Sequence, residues 1–359
     1  MDAWETEKRG KELSRIEIVG LVVLVLALGG LFVNPGFIGG MFNSMINRAK
    51  LIVSDIYLVG TLGTAIICSV MTGRILERLG LTDALLRVFM PIAAKIGVNP
   101  TVVVPGVYNI LGDINAAGRI AGPVLKKAKA TKDEQKIAII SMVQSQQSFS
   151  TFMLGLIAMT RAGIWAFPVV ILALFAPMII MPWFFSKTFY RDCKAVQVED
   201  LPRMTPTKGA MDTIFGGAKE GAELMFLLLI PAAAVVFAFI GLLDYIGVWK
   251  SFEAVLSTTL QFMYIEPETG ILSILASPTL AMNTLKDIAA QTDPRFVVGS
   301  FILAASGFPL QVIFGQIPAV WSQSSDLTGG EALVAAIIGT VLRILTAMLL
   351  ALVLTPMIS

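Results

Sequence analysis

The sequence predicts an all-α polytopic membrane protein of about seven transmembrane helices plus two re-entrant hairpins, built as an inverted repeat. Three observations carry that prediction. Of the 359 residues, 56% are hydrophobic and 14% charged, against about 45–50% apolar and about 25% charged in soluble domains. Apolar runs near the roughly 20 residues needed to cross a bilayer recur from residue 17 to residue 356. Two of these stretches carry helix-start signals at their centres, where an ordinary span has none.

Residues 1–16, MDAWETEKRGKELSRI, are charged with both signs. The apolar run at 17–34 that follows lacks a small-residue cleavage pattern, so it reads as a retained first helix within an N-terminal unit, 1–50. Further full spans are expected at 52–73, 136–158, 163–185, 222–242, 296–318 and 331–356. Two amphipathic segments, 81–97 and 248–265, suit helices lying in the membrane plane.

Each in-plane segment precedes an apolar stretch, 99–125 or 266–290, with a break at its centre. Ser277 followed by Pro278 is an N-cap followed by a first-turn proline, and Gly112-Asp113 puts a capping carboxylate after a flexible residue. Each marks a helix starting at mid-membrane, and non-helical backbone is tolerated at that depth only where protein buries it or water reaches it. A kinked span is the alternative to a hairpin.

The order of elements repeats: span, surface helix, hairpin, interrupted span, final span. It divides the chain into copies at 51–185 and 222–359, joined by a cytoplasmic linker at 186–221. Most of the 27 Lys and Arg gather on one side if the N-terminus and residues 74–98, 126–136 and 186–220 are cytoplasmic. The first hairpin then enters from the cytoplasm and the second from outside. Inverted repeats with discontinuous helices meeting near the midplane are the hallmark of secondary transporters.

Several function classes drop out. The chain has no histidine and two isolated cysteines, Cys68 and Cys193, which excludes His-based catalysis and the usual zinc, haem and iron-sulfur ligand sets. There is no GxxxxGK[ST] loop, and the net charge of +2 is dispersed over short loops, so no nucleic-acid partner is expected. The chain is not expected to be an enzyme or to hold a cofactor or metal beyond a coupling Na+ or H+.

Polar residues inside the apolar runs are the candidate site. In SMVQSQQSFSTFMLG (141–155), Ser141, Gln144, Ser148 and Thr151 fall at spacings of three, four and three, one helical face, flanked by Ser145 and Gln147. That stripe faces a ligand or supplies interhelical hydrogen bonds. Its counterpart, SFILAASGFPLQVIFG (300–315), offers Ser306 and Gln311, and Pro309 points to a broken helix there. The hairpins add Asn115, Ser277 and Thr279. Asp113 is a helix cap or a cation site. Arg343, in the middle of the last span, needs a partner, with Asp113, Asp55 or an anionic substrate as candidates.

These elements resemble the nucleoside-recognition, or Gate, domain family of membrane proteins, which is similar to the concentrative nucleoside transporters and to the gate regions of the ferrous-iron permease. The likeness rests on the surface helix at 81–97, the hairpin around GDINAAGR, the polar QSQQSFS span and their second-half counterparts, over residues 51–356. It implies a transport domain of two hairpins and two broken spans, with the remaining spans as scaffold and oligomer interface. In the nucleoside transporters, hairpin tips and broken spans carry carboxylates and amides for the nucleoside and a coupling sodium ion. Here the first tip has Asp113 and Asn115, and the second Ser277 and Thr279 with no glutamate.

The expected function is secondary active transport of a small polar organic solute, nucleoside-like included, coupled to an ion. The alternative is a non-transporting membrane subunit that assembles with a partner protein. The expected setting is the inner membrane with a cytoplasmic N-terminus, in contact with lipid, as a homo-oligomer (trimer or dimer) or with a paired membrane subunit.

Overall fold

The computed structural model describes residues 14–111, 114–145, 148–194, 205–306 and 309–359, with the side chains of Asn115 and Ala116 outside that set. Every regular element among the described residues is helical.

α1 (Arg15–Val33) starts on a capping box of Ser14 and Glu17 and buries none of its residues, as an apolar rod against lipid would. Asn34 then caps α2 (Pro35–Lys50), which has proline at its first position and continues through Leu51–Leu58. Gly60 ends that helix, and α3 (Thr61–Arg78) leaves it at a bend of 52°. A Cβ on Gly60 would sit 2.6 Å from the Ile56 carbonyl, so only glycine lets the chain turn there. The span expected at 52–73 is therefore bent, and a helix fills 35–50, where none was expected.

α4 (Leu81–Lys95) covers the first segment expected to lie in the membrane plane. A 3₁₀ turn at Pro100–Val103 leads into α5 (Val104–Leu111), which packs on α6 (Ile114–Lys127). α7 (Lys132–Gln144) and α8 (Phe149–Arg161) occupy the span expected at 136–158 as two helices. α9 (Ala166–Val170), the π-helical segment Ile171–Phe175 and α10 (Pro177–Lys187) run on as a rod of 22 residues. α11 (Ala210–Glu223) continues through Leu224–Leu229 into α12 (Ile230–Tyr245), a rod of 36 residues that begins inside the expected linker.

α13 (Trp249–Phe262) covers the second segment expected to lie in the membrane plane, and α14 (Pro267–Leu275) and α15 (Pro278–Ile288), where the second hairpin is expected, pack on each other. α16 (Pro294–Ala304) and α17 (Ile317–Ser324) share the span expected at 296–318. α18 (Gly329–Val353) and α19 (Thr355–Ile358) complete the chain. Among the described residues, four helices are long and apolar enough to cross a membrane, or five with the bent pair. The other two expected spans are the interrupted ones.

The buried apolar residues form two cores. One joins α4, α5, α6, α7, α10 and α17; the other joins α8, α14, α15 and α16 with α3 and α12. Each interrupted helix thus puts one half in each core, and its break is where the chain crosses between them. α18 touches both, with Ala332, Ala335 and Ala336 in the first and Ala347 in the second. Its buried stripe is made of small residues except for Arg343, and small residues let helix backbones approach closely in membranes.

Candidate functional site

The breaks converge on a cavity of about 340 Å³, within the size range of small-molecule sites. Leu111 and Ile114 flank the α5–α6 break; Ala276, Ser277, Pro278 and Thr279 form the α14–α15 turn. Ser148, Phe149 and Thr151 come from the start of α8, and Pro309, Gln311 and Gln316 from the segment leading to α17. Val70 and Arg74 of α3 and Glu220 and Glu223 of α11 line it as well.

Hydroxyl groups link the two halves of the chain at this cavity. Thr279 Oγ1 lies 3.0 Å from Thr151 Oγ1 and 3.3 Å from Ser150 Oγ, which in turn lies 2.6 Å from Ser148 Oγ. A hydroxyl both donates and accepts, so the chain can reverse its polarity to suit a ligand. Local structure sets it up: Ser277 caps α15 through Leu280 N at 3.5 Å with Pro278 at the first position, which holds Thr279 in the first turn. Ser148 precedes α8 with φ 60° and ψ 120°, an uncommon conformation for a residue with a Cβ. Strain of this kind, on the order of 1–3 kcal/mol, is concentrated at ligand sites.

The N-termini of α8 and α15 both open on the cavity and bring partial positive charge. Across from them the Arg74 guanidinium is bonded to Glu220 and Glu77, so the only cation in the described lining is already neutralised by carboxylates. The rest of the lining is largely apolar, including Leu111, Ile114, Phe149, Leu228 and Val312.

Of the residues singled out in the sequence, Ser148, Thr151, Ser277, Thr279 and Gln311 line this cavity. Gln144, Ser145 and Ser306 do not line it: all three are fully buried. Gln144 Nε2 donates to Gly339 O at 2.6 Å, Ser145 Oγ to Met142 O at 2.8 Å, and Ser306 Oγ to Leu303 O at 3.0 Å. The continuous polar stripe is thus divided, because the helix ends at Gln144 and restarts at Phe149. Asp113, Gln147 and the Asn115 side chain lie outside the described residues.

Arg343 is fully buried, and its partners among the described residues are carbonyl oxygens: Ile302 O on Nε at 2.7 Å, and Gln144 O at 2.8 Å and Ala173 O at 2.5 Å on Nη1. Asp55 is exposed, in the helical stretch Leu51–Leu58, and makes no ion pair with it. Helix C-terminal ends are partial negative charges, which favours a guanidinium here; its Nη2 has no hydrogen-bond partner among the described residues. The sequence reading missed Arg74 and Glu220, which lie just outside the expected spans, and Glu223, at the start of the span expected at 222–242.

No family model matches the chain, and no curated protein matches it in sequence. Solved structures do match in fold. CNTnw, a concentrative nucleoside transporter, in an inward-facing substrate-bound state is similar with a TM-score of 0.59 and 14% identity, covering 94% of this chain and 85% of that one. A CNTnw variant in an outward-facing state gives 0.55 and 12%, covering 94% and 86%. Another variant, in an intermediate state, gives 0.55 and 13%, covering 94% and 84%. The chain has the fold of these membrane transporters.

Proposed function

We propose that this protein is a secondary active transporter of a small polar organic solute, working by alternating access around the cavity between the two hairpins. The single observation that carries the reading is the convergence of both hairpins and both interrupted helices on one ligand-sized cavity, where a few hydroxyl and amide groups stand among apolar side chains. Discontinuous helices placing their N-termini and freed backbone groups at a central site are what such transporters use to bind solute and coupling ion. Similarity to one transporter fold in inward-facing, outward-facing and intermediate states supports a scaffold that can rearrange in this way.

In this reading residues 51–185 and 222–359 are inverted copies, the chain sits in the inner membrane with its N-terminus in the cytoplasm, and an ion gradient drives uptake. It works as a homo-oligomer. Ser148, Thr151, Ser277, Thr279 and Gln311 hold the solute through hydroxyl and amide groups, and a nucleoside is one solute with matching chemistry.

Purified protein in proteoliposomes, offered a panel of nucleosides, amino sugars, amino acids and polyols with and without ion gradients, tests the proposal. Saturable uptake of one class is the expected result. Absence of binding and flux for every solute, or copurification with an obligatory second membrane protein, would turn the reading toward a non-transporting subunit.

A further inference from the structure

The three carbonyls on Arg343 share a property: each has lost the donor an α-helix would give it. Gln144 ends α7, and Ser148, four residues on, has already left the helix with φ 60°. Ile302 lies near the end of α16, and Ser306, four residues on, sends its N–H to Leu303 O instead. Ala173 is followed four residues later by Pro177, which has no N–H. The guanidinium therefore sits where the first halves of both interrupted helices end.

Half-helix C-termini and unwound carbonyls at such breaks are the groups with which secondary transporters coordinate a coupling cation. Here a side chain of the protein brings the positive charge, and arginine keeps that charge at any physiological pH. Gln144 is fastened twice to α18, by its backbone carbonyl to Arg343 and by its side-chain nitrogen to Gly339 O. Arg343 does not line the cavity, so it acts on the site through the helix ends.

We propose that Arg343 is a tethered cation that takes the place of a coupling sodium ion at the C-terminal ends of α7 and α16, so that both breaks are held in place without sodium. Arg343 is a positioning residue: it fixes where the two unwound segments begin, and thereby where Ser148, Thr151 and Gln311 stand. The part of this inference that concerns solute binding rests on the transporter reading, while the part that concerns the helix ends does not.

The test uses the full-length chain in detergent, with thermal midpoint and hydrogen exchange at Met142–Ser145 and Leu303–Ser306 read in choline, sodium and guanidinium chlorides at low millimolar to about 100 mM. The wild-type midpoint is expected to be the same in sodium and choline. Arg343→Ala is expected to lower it and to speed exchange at both helix ends about tenfold, and guanidinium is expected to reverse both changes where choline does not. A wild-type midpoint that rises with sodium, an Arg343→Ala chain that exchanges like wild type, or no rescue by guanidinium would overturn the proposal.

If Arg343→Ala is not recovered from membranes, Arg343→Lys against Arg343→Gln carries the test. The Lys variant keeps the charge and is expected nearer the wild-type midpoint; equal midpoints overturn the idea. None of these readouts needs a solute. Sodium-dependent uptake by the wild-type chain would defeat this inference and leave transport standing, whereas absence of all uptake would defeat the transport reading and leave the midpoints to decide here.

Discussion

Arg74 grips Glu220 with two guanidinium nitrogens, Nε at 2.7 Å and Nη2, while its Nη1 donates to Glu77 at 2.6 Å. The pair ties α3 to α11 beside two close approaches. A Cβ on Gly221 would meet Ile67 Cα at 2.8 Å, and one on Gly217 would meet Met71 Cα at 3.0 Å.

Glu220→Ala leaves the fork with one carboxylate. Arg74 and Glu220 are 27% and 45% exposed at the side chain, so screening by solvent discounts the pair to about 1 kcal/mol despite its two-point geometry. A drop of roughly 1–2 °C in thermal midpoint is expected for a chain of this size. A double-mutant cycle with Arg74→Ala would show whether the loss belongs to the pair.

Thr279→Val keeps the side chain's shape and removes the hydroxyl that meets Thr151 and Ser150. With each hydrogen bond worth about 1 kcal/mol, solute dissociation constants should rise roughly fivefold to tenfold, with Thr279→Ser close to wild type. Isothermal titration with the solute found by uptake checks it; unchanged binding in the valine variant would remove Thr279 from the site.

Gly155→Ala should be destabilising by about 1–3 kcal/mol, as overpacking is in a close-packed interior. The new Cβ would lie 2.2 Å from Phe301 Cδ2 and 2.4 Å from Cε2, so α8 and α16 must separate. Fluorescence-detected size exclusion after heating measures the loss, and Phe301→Leu in the same chain should recover part of it.

Cys193 should react slowly with alkylating agents. Burial, reinforced by the carboxylates of Glu134, Asp133 and Asp192, pushes its thiol up to about 12, and Sγ donates to Tyr190 O at 3.1 Å. A raised thiol value means less thiolate, so at about pH 8 the rate should be roughly a thousandfold below that of an ordinary cysteine near 8.5. Iodoacetamide labelling in a Cys68→Ser background, with and without denaturant, reads it out.

Much of the architecture was legible because its signals are local. Ser277-Pro278 announced a helix start inside an apolar stretch, and that is where α15 begins. Asn34-Pro35 carries the same signature for α2, but Arg48, Lys50 and two asparagines keep that helix below the hydropathy of a span, and it was passed over. The polar stripe through Ser141, Gln144, Ser148 and Thr151 was misread because its spacing assumes an unbroken helix. Once the helix ends at Gln144, that residue's amide reaches Gly339 of α18, Ser141 is fully buried, and Ser148 and Thr151 line the cavity.

Long-range chemistry was not legible. Nothing local joins Arg74 to Glu220, 146 residues away. Arg343 reads in the sequence as needing an opposite charge, since a sequence displays carboxylates and conceals carbonyls. Two of its partners become visible only when the breaks in α7–α8 and α16–α17 are known, because those breaks release the Gln144 and Ile302 oxygens; the third, Ala173 O, is released by Pro177 in the rod of α9 and α10.

The turn between α14 and α15 has an electrical consequence. Ala276 borders the 340 Å³ cavity on one side and, on the other, a second one of about 470 Å³ among α2, α12, α13 and α14. Were water to fill both and each to open to a different side of the membrane, the insulating layer at that point would thin from the roughly 30 Å of hydrocarbon to the width of that turn. The membrane voltage, about 2.3 kcal/mol per elementary charge per 100 mV, would then drop across that septum. A charge displaced only a few ångströms past Ser277 would feel most of it.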